Sequence, residues 1–289
     1  MRMHEDELEL DVELLHRLVR EQFPEWADLP LSRVEPSGTV NAIFRLGPTL
    51  SVRLARRRGP TEPGGKEIAW LPRLSPLLPL EVPVPVAQGR PTRDYPWFWD
   101  VHTWLEGESV PVAAIDAVQA ARDLAAFVAA LQQVDPAGAP RGRGIPLVER
   151  DPEIRRRLSG FQGDAAVSEA WERALEAPPW TGPPVWHHGD LDMRNWLVRD
   201  GRISGILDWG EMGVGDPACD VMVAWKLHSH AARDAFRDAL SVDDATWERA
   251  RGWAVSQAVA ALTYYTPENN PALYHEAAAW LDLAMSDDV

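Results

Sequence analysis

Cysteine and lysine are almost missing from this 289-residue chain: Cys219 is the single cysteine, and Lys66 and Lys226 are the only lysines. One thiol cannot close an internal disulfide or build a cysteine-based zinc site, which fits a reducing, cytoplasmic setting. Positive charge is also short, with 29 basic against 44 acidic side chains and a formal net charge of −15. Phosphate backbones and anionic membrane surfaces repel such a chain, because binding either requires clustered Lys or Arg to displace counterions. Nucleic acid and membrane are therefore not expected partners, and a cationic small molecule is favoured. No run of 18 uncharged apolar residues occurs, so no spanning helix is expected. The acidic start MRMHEDELELDVELL has no basic segment ahead of an apolar one, so no export signal is expected.

What is present suffices for a large core: 45% of the residues are hydrophobic, and the length suits one large domain or two lobes. From Glu7 to about Phe23, Leu8, Val12, Leu15, Leu18 and Val19 recur at helical spacing until Pro24 ends the pattern. Short β-prone runs follow at Ala42 to Leu46 and Leu50 to Leu54, separated by Gly47 and Pro48 as in an antiparallel meander. A helix is expected from about Lys66 to Leu74, then extended, Pro-punctuated chain over residues 79–104 that leads into another strand. Beyond Val110 the period becomes helical in AAIDAVQAARDLAAFVAALQQV, a Gly/Pro/Arg loop runs from Pro136 to Pro146, and three or four helices fill 217–286. The expected class is α+β: a small β-rich N-terminal lobe over residues 1–102, a larger helical lobe over 103–289, and a ligand cleft between them.

The chemistry concentrates in HHGDLDMRNWLV, residues 187–198, and in ILDWGEMGVGDPACD just after it. His188, Asp190 and Asn195 form H-x-D-x-x-x-x-N, a phosphotransferase catalytic-loop pattern. That reaction needs a carboxylate to orient an attacking hydroxyl and take its proton, and an amide oxygen to hold a divalent metal without further charge. Asp200-Gly201 reads as the type I′ turn of a hairpin whose second strand, Ile203 to Leu207, returns Asp208 toward Asn195. Asp208-Trp209-Gly210 then stands where kinases write D-F-G. Any acidic turn before a strand can produce the first pattern by chance; its joint occurrence with the hairpin, the D-x-G and a preceding β-rich segment is far more specific.

Together with QFPEWADLPL, PSGTVNAIFRLG, SVRLARR, KEIAWLPRL and YPWFWDVHTWLEGE, these segments resemble the aminoglycoside phosphotransferase family of kinase-like small-molecule kinases across roughly residues 10–285. The resemblance implies a bilobal protein-kinase-like fold, ATP or GTP as donor, Mg²⁺, and phosphorylation of a small-molecule hydroxyl. It implies Asp190 as catalytic base, Asn195 and Asp208 as metal ligands, His188 as a brace of the loop, and Asp216 or Asp220 as the residue fixing the segment after the metal site. Ser37, Gly38, Thr39 and Asn41 match the phosphate-covering turn. Since neither lysine sits on the third strand, Arg53 takes the phosphate-gripping role, with Glu67 as its ion-pair partner. Asp100, Val101, His102 and Trp104 are expected to offer backbone hydrogen bonds to the base. Val40 and the DMRN segment depart from the family pattern without removing a required group. Only eight positions separate Asp208 from Asp216 and no A-P-E follows, which leaves little room for an activation segment and peptide-docking platform.

The expected activity is therefore γ-phosphate transfer to a hydroxyl of an aminoglycoside or similar antibiotic by a monomer or homodimer. The helices after residue 217 are expected to line the acceptor pocket, where Glu211, Glu268, Glu276 and Asp282 could meet ammonium groups or be a solvated face. A kinase of another metabolite or a macrolide, or a nucleotide-binding protein with vestigial turnover, are the alternatives.

Overall fold

The computed structural model describes residues 8, 10–34, 41–56, 65–110, 114–161 and 165–286. It comprises two compact units, Met1–Pro76 with Glu81–Glu106, and Leu77–Leu80 with Gly107–Val289.

The first unit is built on a five-stranded antiparallel sheet: β1 (Leu31–Arg33), β2 (Asn41–Leu46), β3 (Leu50–Ala55), β4 (Pro85–Gly89) and β5 (Trp99–Thr103), in spatial order β1-β2-β3-β5-β4. The expected meander is β2 and β3, paired from Asn41↔Ala55 to Leu46↔Leu50. Alternation in β2 sends Ala42, Phe44 and Leu46 inward, where they meet Val52, Leu54, Trp99 and Val101. Helix α1 (Val12–Gln22) covers this face with Leu15, Leu18 and Val19, and begins where Asp11 Oδ1 accepts the N–H of Leu14 at 2.6 Å. Helix α2 (Gly65–Leu74) carries Glu67 in its first turn.

The second unit is helical: α3 (Ala117–Gln132), α4 (Leu147–Gly160), α5 (Ala165–Glu176), the short α6 (Ala218–Val221), α7 (His230–Leu240), α8 (Asp244–Leu262) and α9 (Pro271–Met285). Helix α8 is buried around its circumference by α4, α5 and α9, so it lacks the one-sided stripe of a surface helix. Two small ribbons interrupt the helices. Strand β6 (Val185–His187) pairs with β9 (Gly213–Gly215), and β7 (Trp196–Arg199) forms a hairpin with β8 (Arg202–Ile206). Its turn residues Asp200 and Gly201 have φ of 54° and 75°, as a type I′ turn requires. No helix among the described residues is long and apolar enough to cross a membrane.

Candidate active site

Strand β6 delivers the chain into His188-Gly189-Asp190, and a buried carboxylate fixes the entry. The two oxygens of Asp220 accept the backbone N–H of His188 at 2.7 Å and of Gly189 at 2.8 Å. His188, itself buried, accepts the N–H of Asp190 on Nδ1 at 3.1 Å and meets the carbonyl of Leu207 through Nε2 at 2.9 Å. Only the Nε2–H tautomer satisfies both bonds, so a neutral imidazole ties the loop to the residue before Asp208. Its ring lies edge-on to the buried Trp209 at 4.8 Å. Gly189 has φ of 87°, and a Cβ there would lie 2.6 Å from the carbonyl oxygen of Glu211. Only glycine suits that position.

Asp190 is partly exposed and held from two sides. Asn195 Nδ2 donates to its carbonyl at 2.9 Å and to Oδ2 at 3.2 Å. Arg143 Nη1 donates to Oδ1 at 2.8 Å and to the Gly189 carbonyl at 3.2 Å, while Nη2 stands 3.4 Å from Glu211. Burial disfavours the charge of Arg143, but Asp190 and Glu211 outweigh it and hold the guanidinium above its ordinary range. Each carboxylate oxygen still has a lone pair for an incoming hydroxyl. Arg143 was not singled out from sequence; the only signal is an arginine between two glycines in the 136–146 loop.

Because Asn195 spends its amide N–H groups on Asp190, its Oδ1 accepts no hydrogen bond among the described residues. The Leu207 N–H bonds the Asn195 carbonyl at 2.7 Å, so the hairpin closes with Asp208 at the same end. Asp208 is exposed, with φ of 59°. One amide oxygen and one carboxylate are hard donors of the kind Mg²⁺ takes while keeping waters and phosphate oxygens as its other ligands, and the pair fits that ion. The DMRN departure forms a tight turn locked from beneath. Buried Asp192 bonds Arg194 Nε at 2.6 Å and Lys226 Nζ at 3.2 Å. Burial opposes its ionisation, yet Lys226 and Arg194 keep its carboxyl well below the usual range.

Of the two candidates for fixing the following segment, Asp220 acts on the catalytic loop, as described. Asp216 accepts the Ala218 N–H at 2.9 Å and pairs with Arg249 of α8 through two bonds of 2.7 and 3.1 Å. Cys219, remote in sequence, comes close to His187: ligand atoms of His187, Cys219 and Asp220 lie within 4.8 Å of one another. They do not fit a metal. His187 Nε2 accepts the Gly144 N–H, both Asp220 oxygens are taken, and burial pushes the Cys219 thiol up.

In the first unit Arg53 Nη1 meets Glu67 Oε1 at 2.7 Å, joining β3 to α2, and both are largely buried. Asn41 opens β2, whereas Ser37, Gly38, Thr39 and Val40 lie outside the described residues. Asp100, opposite Arg53 in the sheet, accepts from Gln88 Nε2 at 3.1 Å, and burial raises its pKa against Gln88 and Arg53. Strand β5 is paired on both edges, by β3 and β4, and the N–H groups of Thr103 and Trp104 bond Val84 and Thr49. Asp100, Val101 and His102 are thus paired within the sheet, and the Trp104 N–H is taken at its flank. His102 is fully buried, neither ring nitrogen has a partner among the described residues, and burial, then Arg53, lowers its pKa to about 3.

A cavity of about 300 Å³ lies within the second unit, lined by Arg143, Arg150, Arg157 and Arg194 together with groups of α8 and α9. Helices α8 and α9 contribute to its lining, and Glu211, Glu268, Glu276 and Asp282 do not. Glu211 faces Arg143, Glu276 stands 3.9 Å from Arg194, and Glu268 and Asp282 are exposed. Helix α4, which supplies Arg150 and Arg157, was not assigned from sequence.

A model of the phosphotransferase enzyme family matches residues 33–253. Aminoglycoside 3'-phosphotransferase from Escherichia coli is 32% identical over 59 residues, 20% of this chain and 22% of that enzyme, so the chain spans about a fifth of this curated relative's length. The GDP complex of an aminoglycoside 2'-phosphotransferase superposes with a TM-score of 0.74 at 16% identity over 97% of this chain and 100% of that one. Macrolide 2'-phosphotransferase from Brachybacterium faecium does so with a TM-score of 0.64 at 25% identity, covering 96% and 97%. These likenesses show a kinase-like α+β fold, and the match over most of the length places the chain in the phosphotransferase enzyme family.

Proposed function

We propose that this chain transfers the γ-phosphoryl group of ATP or GTP to a hydroxyl of a small molecule, the reaction type for which its antibiotic-phosphorylating relatives are named. The observation that carries the reading is the setting of Asp190: a carboxylate held by Asn195 and Arg143, on a loop that His188 ties to the residue before Asp208. Asp190 receives the acceptor's proton as the hydroxyl oxygen bonds to the γ-phosphorus. The bond from that phosphorus to the β,γ-bridging oxygen breaks, and the electron pair leaves on the nucleoside diphosphate. Asn195 Oδ1 and the Asp208 carboxylate would hold Mg²⁺, which when bound offsets charge on the phosphate oxygens. Arg53, oriented by Glu67, grips phosphate in place of a lysine. The chain at and just past the end of β5, from Trp104 to Glu106, would meet the base.

The test is Mg²⁺-dependent diphosphate release from ATP and GTP with a panel of aminoglycosides, macrolides and amino alcohols. Asp190→Ala should lower acceptor-stimulated release by about 10²–10⁴-fold while nucleotide binding persists. Stimulated turnover near the wild-type rate in that variant would remove Asp190 from its role.

A further inference from the structure

We infer that the arginine-lined cavity beside Asp190 receives an oxyanion of the acceptor, so that the small molecule phosphorylated here carries a carboxylate or phosphate group as well as its hydroxyl. This rests on the phosphoryl-transfer reading, and it assigns the acceptor a charge opposite to the one that net composition favours.

Three of the four arginines have their charge answered by carboxylates that do not line the cavity: Arg143 by Asp190 and Glu211, Arg157 by Glu153, Arg194 by Asp192. Arg150 is different. Its guanidinium lies 4.4 Å over the ring of Trp253, and among the described residues it makes no hydrogen bond and no ion pair; its buried Nε is unsatisfied. Burial, and then the neighbouring Arg143, lower its pKa against the nearby Glu153, so its charge is disfavoured on balance and an anion would support it.

The other orphaned lining atoms are donors too. Gln257 gives its oxygen to Lys226 at 2.9 Å, and its Nε2 is buried without an acceptor, as is Trp280 Nε1. Among the described residues no carboxylate lines the cavity. Buried donors left unpaired are costly, and guanidinium, amide and indole N–H groups are all donors that carboxylate or phosphate oxygens accept. An ammonium group would meet four arginines and no acceptor charge. Arg143 belongs to both places, lining the cavity and bonding Asp190, so an anion held there keeps the rest of the acceptor beside the base. The volume, about 300 Å³, stands at the small end of ligand sites and suits a compact acceptor.

The experiment is a titration of the ¹⁵N-labelled full chain, read at the indole N–H signals of Trp253 and Trp280. The probes share one ring: benzoate and phenyl phosphate as anions, benzamide as neutral, benzylamine as cation. The anions should shift both signals at millimolar concentration and bind at least about tenfold tighter than benzylamine. The tighter of the two anions names the oxyanion. Arg150→Gln should weaken anion binding by about tenfold or more, and Arg150→Lys, which keeps the charge, should restore part of it. Benzylamine or benzamide binding as well as the better anion, no shift with either anion up to roughly 10 mM, or unchanged anion affinity in a folded Arg150→Gln would each overturn the inference. Asp190→Ala separates the two readings. If it retains anion binding but turnover proves independent of Asp190, the phosphoryl-transfer reading fails alone. If turnover needs Asp190 but anions are not preferred, the inference fails alone.

Discussion

Asp220→Asn is the sharpest test of how the catalytic loop is held. The change is nearly isosteric, and the site is fully buried, with one carboxylate oxygen on each of two adjacent N–H groups at 2.7 and 2.8 Å. A carboxamide offers one acceptor and one donor, so either His188 or Gly189 must face an NH₂ group. A hydrogen bond to a charged group contributes about 1.5–3 kcal/mol, and a buried donor left unpaired costs about 1–3 kcal/mol. The two figures overlap, and loss of a buried charge offsets part of them, which leaves a destabilisation of roughly 2–4 kcal/mol. At about 2–4 °C per kcal/mol for a unit of this size, the melting temperature should fall by roughly 4–16 °C. Because the strained N–H precedes Asp190, kcat should also drop by about tenfold while the nucleotide KM stays within about twofold. Urea unfolding and acceptor-stimulated diphosphate release measure both. A stability change under about 0.5 kcal/mol with unaltered kcat would refute the clamp.

Two further outcomes follow from other residues. His102 stays neutral in the folded state down to about pH 3, whereas an unfolded histidine binds its proton near 6.5. Its contribution is therefore intact above pH 6.5 and is lost as pH falls toward 3, by up to about 1.4 kcal/mol per pH unit. His102→Phe should flatten that slope in urea unfolding followed through Trp97 and Trp99; equal slopes would show that His102 is not the titrating group. Asp208→Asn keeps a residue type that tolerates the left-handed backbone at φ of 59° and removes only the charge, so the Mg²⁺ concentration for half-maximal turnover should rise about tenfold or more. An unchanged Mg²⁺ requirement would take Asp208 out of the metal site.

What could be read from the sequence was local. The β2–β3 meander, α2 and the Asp200-Gly201 hairpin announce themselves through alternation, spacing and turn chemistry, each within a few residues. The Arg53–Glu67 pair was legible because strand and helix are consecutive and the chemistry asks for a charge partner. What stayed hidden depended on residues distant in the chain. Residues 79–104 read as extended, Pro-punctuated chain leading into a strand, and nothing in them shows that β4 takes the outer edge of β5. Helix α4 was passed over because LVERDPEIRRRLSG is polar and contains Pro152, and only its packing on α8 shows which face is buried.

The same distinction governs the charge of the acceptor. A total of −15 sums the whole surface, and beyond a Debye length of about 8 Å exposed charges are largely screened. The cavity is governed by groups within a few ångströms, and these come from three separate places: the 136–146 loop, the turn before β7, and two successive turns of α4. No window of the sequence gathers Arg143, Arg150, Arg157 and Arg194 without the fold, and no sum over the chain reveals that Arg150, of these four, makes no ion pair among the described residues. An acidic protein can therefore enclose a basic site, and here the sign of the lining, with its unpaired donors, bears more directly on what binds than the sign of the total.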